Sequence, residues 1–440
     1  MNPDTSSLSQ RGAKLASGSA KIDMDLFMEA MENLYDPVKK TDGAFPLNVA
    51  ENKVMSDRIL AQLQSILSSH SLPEWVLSYT DPLGHPDARE VMAKFMQDHL
   101  CHCPIDPATI GFSSGAAGII EVSSFVLANP GDVVAIPAPA YPMYTNDLGV
   151  KSGMQRYDIQ THLHLQQQGA TALLTTELLD EALADIEAQG KCFKLLLLTS
   201  PDNPTGCIYT ESQLNELANW CIKHQVHLVV NEIYGLSQID TNDPMLQGDY
   251  KSVGSYVSFA KIMAQKQSDY LHLWYALSKD FAMSGMRFGI VHSLNQALMI
   301  GFGNVNIPQM VSNITQWAVA ELFQDTDFLT GYIAENKKRV TASYRVVIEA
   351  LRKLEVPYIP ARGSLFVWAD FSKYLPEDSD QGQEQLWIDI FQQTGVLLTP
   401  GAGFQHLKKG VFRIVHSAVP TDHLVVAMDR LVSYFKQTSG

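Results

Sequence analysis

Two cations eight residues apart, Lys279 and Arg287, stand in a segment that is otherwise mostly apolar or small, Trp274-Tyr275-Ala276-Leu277-Ser278-Lys279-Asp280-Phe281-Ala282-Met283-Ser284-Gly285-Met286-Arg287-Phe288-Gly289. A lysine among apolar neighbours loses solvation, so its pKa falls and its neutral amine becomes accessible. A neutral amine can attack an aldehyde and form a Schiff base. An arginine near it offers a planar fork of donors for a phosphate. Together they suit a small molecule that carries both an aldehyde and a phosphate.

Such a pair needs a frame. Short apolar runs end in turn-rich segments at Ile110-Gly111-Phe112-Ser113-Ser114-Gly115, Val133–Ile136 before Tyr141, Phe193–Thr199 before Asn203, and Val226–Val230 before Asn231 and Tyr234. Helical spacing separates them, from Ile119 to Leu127 and, after a Thr210 cap, through Leu214, Leu217, Ala218, Cys221 and Ile222. This βαβ alternation predicts an α/β fold with a parallel sheet covered by helices on both faces. Ligands in such sheets bind beyond the carboxyl ends of the strands, where all these segments converge. The small residues Gly115-Ala116-Ala117 ahead of a helix let main-chain N–H groups reach an anion.

Other elements read less sharply. Residues up to Lys21 form a polar arm, a helix is expected from Met24 to Tyr35, and another from Asp57 to Leu67. The last third reads as a smaller α+β lobe, with a long helix from Tyr332 to Leu354, strands at Ser364–Trp368 and Val411–Val415, and a polar loop at Pro376–Gln385. The expected division is an arm packing with the small lobe (1–50), a large domain (51–310) and a small domain (311–440).

Composition narrows the function. A formal charge of −15 argues against nucleic acid and acidic membranes as partners. Five cysteines, a polar start and no apolar run of membrane length fit a reduced, cytoplasmic setting.

The motifs resemble those of fold-type I pyridoxal 5′-phosphate (PLP) enzymes, the aspartate aminotransferase superfamily, from about Leu47 to His416. Ser278-Lys279 with Gly285, Arg287 and Gly289 resembles the family's lysine signature, and Ser200-Pro201-Asp202-Asn203-Pro204-Thr205-Gly206 its S-P-x-N-P-T-G loop. The resemblance implies a mostly parallel seven-stranded sheet. It makes Lys279 the Schiff-base lysine, with Ser278, Arg287 and the Gly115-Ala116-Ala117 amides on the phosphate. It places Asn203 and Tyr234 on the phenolic oxygen, Tyr141 against the ring, and Arg413 on a substrate carboxylate, with Asn203 also toward the substrate and Tyr234 catalytic beside Lys279. It also implies a homodimer with shared sites, in which Tyr79 reaches the neighbouring subunit's phosphate. Ala50-Glu51-Asn52-Lys53, Ser278-Lys279-Asp280 and Leu365-Phe366-Val367-Trp368 resemble 1-aminocyclopropane-1-carboxylate (ACC) synthases, which sets Glu51 near the substrate side chain.

Two residues depart from the pattern. Asn231 stands where the family has an aspartate that keeps the pyridine nitrogen protonated. Losing that charge-assisted hydrogen bond is worth ~1.5–3 kcal/mol, roughly one to two pKa units at the ring nitrogen. A weaker electron sink handicaps transamination more than loss of a leaving group. Ala276 stands where relatives often carry a phosphate-binding serine.

The expected activity is therefore chemistry at Cα of an L-amino acid joined to the cofactor as an external aldimine. Lys279 serves as base, and β/γ-elimination, cyclisation or replacement comes ahead of transamination. A non-catalytic PLP-fold protein is a lesser reading. Gly111-Phe112-Ser113-Ser114-Gly115 also fits the G-x-S-x-G elbow of serine hydrolases, without an HGGG-type segment before it. His99-Leu100-Cys101-His102-Cys103 is too crowded for one metal, so none is expected. No G-x-G-x-x-G is present.

Overall fold

The computed structural model describes residues 4–16, 22–161, 174–250 and 254–438. Thirteen strands occur among the described residues: β1 (Phe45–Pro46), β2 (Ile110–Ser114), β3 (Val133–Ala138), β4 (Gln155–Gln160), β5 (Phe193–Thr199), β6 (His227–Asn231), β7 (Leu271–Ala276), β8 (Phe288–Ser293), β9 (Tyr358–Ile359), β10 (Phe366–Asp370), β11 (Val396–Leu397), β12 (Thr399–Pro400) and β13 (Val411–Val415). Seven of them form one sheet in the order β2-β8-β7-β6-β5-β3-β4. Only β8 runs against its neighbours. The carboxyl ends of β2, β3, β5, β6 and β7 therefore lie along one edge, and Arg287, just before β8, enters at that same edge.

The strands are buried on both faces, and their side chains divide by the two-residue strand period. Val134, Ile136, Leu195, Leu197, Val229 and Trp274 join the apolar cluster beneath the Gly115–Leu127 helix. Ala135, Leu196, Leu198, Leu228, Val230, Leu273 and Tyr275 join the larger cluster on the other face. The Glu211–His224 helix starts with a full capping box, in which Thr210 and Gln213 satisfy each other's main-chain N–H groups.

A second sheet, β12-β13-β10-β9, is antiparallel and lies in the last third of the chain. The Thr326–Lys353 and Thr421–Thr438 helices pack together beside it. β1 pairs in parallel with β11, so the N-terminal segment is joined to this part of the molecule. Among the described residues no helix is long and apolar enough to cross a membrane.

Several boundaries move from their sequence-based positions. The helix expected from Ile119 starts at Gly115, so the small residues are themselves its first turn. The long helix starts at Thr326, where the Asp325 carboxylate accepts from the Phe328 N–H at 2.9 Å. The helix expected at Met24–Tyr35 runs from Ile22 to Glu32. The loop expected through Gln385 gives way to a helix at Asp380, because Ser379 caps the Gly382 N–H. The polar arm contains a helix, Gln10–Ala16; the rest of it up to Lys21 lies partly outside the described residues.

Candidate active site

A cavity of about 310 Å³ opens at the carboxyl edge of the large sheet. Lys279, Ser278, Arg287, Asn203, Asn231, Tyr141, Tyr234, Ala116, Ala117 and Arg413 all line it. Of the residues singled out from sequence, Gly115, Glu51 and Tyr79 do not. Gly115 is one residue back, under the guanidinium of Arg287. Glu51 is partly exposed and pairs with Lys53 at 3.4 Å. Tyr79 is fully exposed and lies outside the cavity lining.

Lys279 lies in a one-turn helix, Leu277–Asp280, directly after β7. Its Nζ donates to the Ala50 carbonyl at 2.6 Å, and no carboxylate pairs with it among the described residues. Burial, aided by the cations Arg413 and Arg287 and opposed by Glu51, lowers its ammonium to about 8. The turn that carries it is pinned from behind by Asp280. That buried carboxylate accepts from the Leu236 N–H at 2.9 Å, Ser237 Oγ at 2.6 Å and Tyr275 Oη at 3.1 Å.

The anion end is built from main chain and small residues. Gly115 has φ +75°, and a Cβ there would stand 2.7 Å from an Arg287 nitrogen. A Cβ at Gly289 would meet the Gly115 carbonyl oxygen at 2.5 Å. Both glycines let β8 and the start of the Gly115–Leu127 helix close on each other. Gly285 has no such neighbour within 4 Å. Arg287 donates to the Ser284 and Ser114 carbonyls at 3.1 and 3.4 Å and has no carboxylate partner among the described residues. Ser278 Oγ is buried without a hydrogen-bond partner among the described residues. An unpaired guanidinium, an orphaned hydroxyl and a helix N-terminus fit a phosphate. Ala276 is buried and turned away from the cavity, so the serine of many relatives has no counterpart there.

Arg413, on β13, crosses from the second sheet. Its guanidinium donates to Asn203 Oδ1 at 2.9 Å and to the Asn48 carbonyl at 2.6 Å. It lies 4.6 and 4.9 Å from the Phe366 and Phe404 ring centres. Burial lowers it to about 10, and its Nε has no partner. A buried cation with an unpaired donor and no counter-ion among the described residues suits a carboxylate ligand.

At the inner end, register decides the contacts. Thr199 and Asn231 are cross-strand partners on β5 and β6. Tyr144 Oη reaches both, at 2.8 Å from Thr199 Oγ1 and 2.9 Å from Asn231 Nδ2. Tyr141 meets Tyr144 edge-on, with ring centres 5.3 Å apart. Tyr144, Thr199, Ser284 and the Asn48 and Ala50 carbonyls are site groups that the motifs do not announce. Asp147 also lines the cavity, with burial and Glu121 raising its carboxyl to about 6.

The serine-hydrolase reading is overturned. Ser113 is fully buried, and its hydroxyl donates to the Gln309 carbonyl at 3.3 Å rather than to a histidine. His99 and Cys101 lie in a π-helical turn, Met96–Cys101, and no group of three metal-ligating side chains occurs among the described residues.

Known proteins share this frame. ACC synthase 2 of Oryza sativa is 29% identical over 417 residues, covering 92% of this chain and 83% of its own. ACC synthase-like protein 1 of Bos taurus is 30% identical over 403 residues, covering 90% and 77%. A Mus musculus relative, 29% identical over 431 residues and covering 96% and 71%, bears the name "probable inactive" ACC synthase-like protein 2. Among solved structures, a Thermus thermophilus aspartate aminotransferase double mutant superposes with a TM-score of 0.76 at 19% identity, covering 97% of this chain and 99% of its own. Residues 45–431 match the family model described as aminotransferase class I and II. With that match spanning nearly the whole chain and a cavity that suits PLP, the protein belongs to the class I and II aminotransferase family of fold-type I, PLP-dependent enzymes, and is ACC-synthase-like.

Proposed function

We propose that the protein acts at Cα of a small L-amino acid and removes or replaces a β- or γ-substituent, or closes a ring at its expense. The observation that carries this reading is Asn231, an uncharged amide at the inner end of the cavity. When bound, PLP supplies an aldehyde for amines and a conjugated ring that draws electrons from Cα. Ser278, Arg287 and the N–H groups of Ala116 and Ala117 hold the phosphate, with Gly115 giving the guanidinium room. Asn203 and Tyr234 would donate to the phenolic oxygen, and Tyr141 would pack against the ring.

Arg413 takes the substrate carboxylate and so fixes which bond at Cα faces Lys279. Lys279, free of any carboxylate and lowered to about 8, is neutral often enough near pH 7.5 to receive the Cα proton. The Ala50 carbonyl orients its Nζ meanwhile. Glu51, next in the chain to the cavity-lining Ala50, is assigned to the substrate side chain. Without a carboxylate at position 231, a bound ring would be a weaker electron sink, which would favour loss of a leaving group over transamination. The name of the rice relative, a synthase of a cyclopropane amino acid, favours the same class.

The second reading is transamination, favoured by the aspartate aminotransferase frame. In either case Tyr79, fully exposed, completes the phosphate site of a second copy in a homodimer. The protein works in the cytoplasm, with residues 51–310 as the cofactor domain, 311–440 as the smaller lobe, and 1–50 as an arm on that lobe. A panel of amino acids added to the PLP-loaded protein, followed by product mass spectrometry, separates the readings. Ammonia or a lost side-chain fragment supports the proposal, whereas a keto acid formed only with an amino acceptor replaces it with transamination.

A further inference from the structure

We infer that Tyr144 and the Ile233 N–H lock the Asn231 amide with its nitrogen toward the cofactor, so that the site holds the pyridine nitrogen unprotonated, as a hydrogen-bond acceptor. The inference rests on the proposed PLP chemistry of this cavity.

The argument is one of polarity. Asn231 Oδ1 accepts from the Ile233 N–H at 3.2 Å. A main-chain N–H only donates, so the amide oxygen belongs at that end and Nδ2 at the other. Nδ2 spends one hydrogen on Tyr144 Oη at 2.9 Å. Its second hydrogen has no acceptor among the described residues, and Asn231 lines the cavity. Tyr144 Oη, already accepting, has its own proton free for Thr199 Oγ1 at 2.8 Å. Flipping the amide would set Nδ2 against the Ile233 N–H, donor to donor. The inner end therefore offers a donor. A protonated ring nitrogen would oppose it, and an unprotonated one completes it.

The titratable groups around this end do not reverse the sign. Burial pushes the Tyr144 hydroxyl far up, so it remains a neutral phenol. Tyr141, its edge-on neighbour, is also raised by burial. Asp202, raised to about 7 by burial, turns its carboxyl to the Thr205 N–H and hydroxyl at 3.2 and 2.6 Å. Asp147 lines the cavity but makes no hydrogen bond to Asn231. An aspartate at position 231 would invert the chain. One oxygen would keep the Ile233 N–H, and the other would accept from both Tyr144 and a protonated ring. Tyr144 is thus a positioning residue: it acts on the ring through the amide.

The test is ¹⁵N NMR of the holoprotein loaded with PLP labelled at the ring nitrogen. In the wild-type protein the resonance is expected in the range of an unprotonated, hydrogen-bonded pyridine between pH 6 and 9. In Asn231→Asp it should move to the pyridinium range. In Tyr144→Phe, PLP affinity should fall about 2- to 10-fold, the value of one hydrogen bond. A pyridinium resonance in the wild-type protein overturns the inference. An unchanged affinity in Tyr144→Phe removes Tyr144 from it. Borohydride reduction followed by peptide mass spectrometry keeps the underlying reading separate. A pyridoxyl group on Lys279 with a protonated ring refutes only the polarity argument, whereas no pyridoxyl group refutes the PLP assignment.

Discussion

Replacing Lys279 by methionine should stabilise the cofactor-free protein at neutral pH, and the gain should vanish in alkali. The native ammonium is lowered from 10.5 to about 8, so between those values the unfolded chain binds more protons than the folded one. Stability contributed by this group therefore rises with pH across that window, and the desolvation penalty is fully present below it. By linkage the penalty is at most about 3.3 kcal/mol at pH 7 and about 0.8 kcal/mol at pH 10. Methionine has nearly the same reach without the charge. It also deprives the Ala50 carbonyl of its 2.6 Å donor, a loss of about 1 kcal/mol at either pH. The variant should thus be more stable than wild type by about 2 kcal/mol at pH 7 and roughly equal to it at pH 10. Urea unfolding of both proteins, stripped of PLP, at the two pH values measures the difference. A stability change that is the same at pH 7 and pH 10 would refute the claim that desolvation and the two arginines hold this amine near neutrality.

Removing Arg413 as Arg413→Gln should lower kcat/KM about 10- to 150-fold, the range of one charge-assisted contact, and raise the midpoint of Lys279 titration because a facing cation is gone. Glu51→Gln should move that midpoint the other way, since Glu51 supports the ammonium; an unmoved pH profile of borohydride trapping would contradict both shifts. Gly115→Ala forces a side chain into φ +75° and against Arg287, and should weaken PLP binding by an order of magnitude or more, while Gly285→Ala, with open space around it, should leave binding unchanged. Tyr79→Phe should weaken PLP binding in a homodimer without altering the sedimentation coefficient; an unchanged affinity would remove it from the shared phosphate site.

The parts of the site that could be read from the chain are those set by local chemistry. Lys279, Arg287 and Asn203 sit in short segments whose residue types already state a task. The alternation of runs such as Phe193–Thr199 with capped helices carried the parallel sheet, because fully buried strands and amphipathic helices have different periods. What escaped depends on register or on main chain. Nothing near Tyr144 in sequence points to Thr199 or Asn231; only the pairing of β5 with β6 brings those two side by side. The Asn48 and Ala50 carbonyls that orient Arg413 and Lys279 carry no label, since every residue has one. The Asp380–Thr394 helix was hidden by its polar first turn, where capping by Ser379 outweighs the lack of apolar spacing.

β8 is the single reversed strand of the large sheet, and it is hydrogen-bonded to β7. The linker between them need not cross either face, unlike every parallel connection in the sheet. The attachment point for an aldehyde and the grip for a phosphate thus travel on one hairpin, and forming that hairpin sets their spacing by itself. Ala50 and Arg413 arrive from distant stretches of chain and must wait for long loops to close. The two cations accordingly share one local pairing, whereas the Ala50 carbonyl and the Arg413 guanidinium are fixed by contacts between segments far apart in sequence.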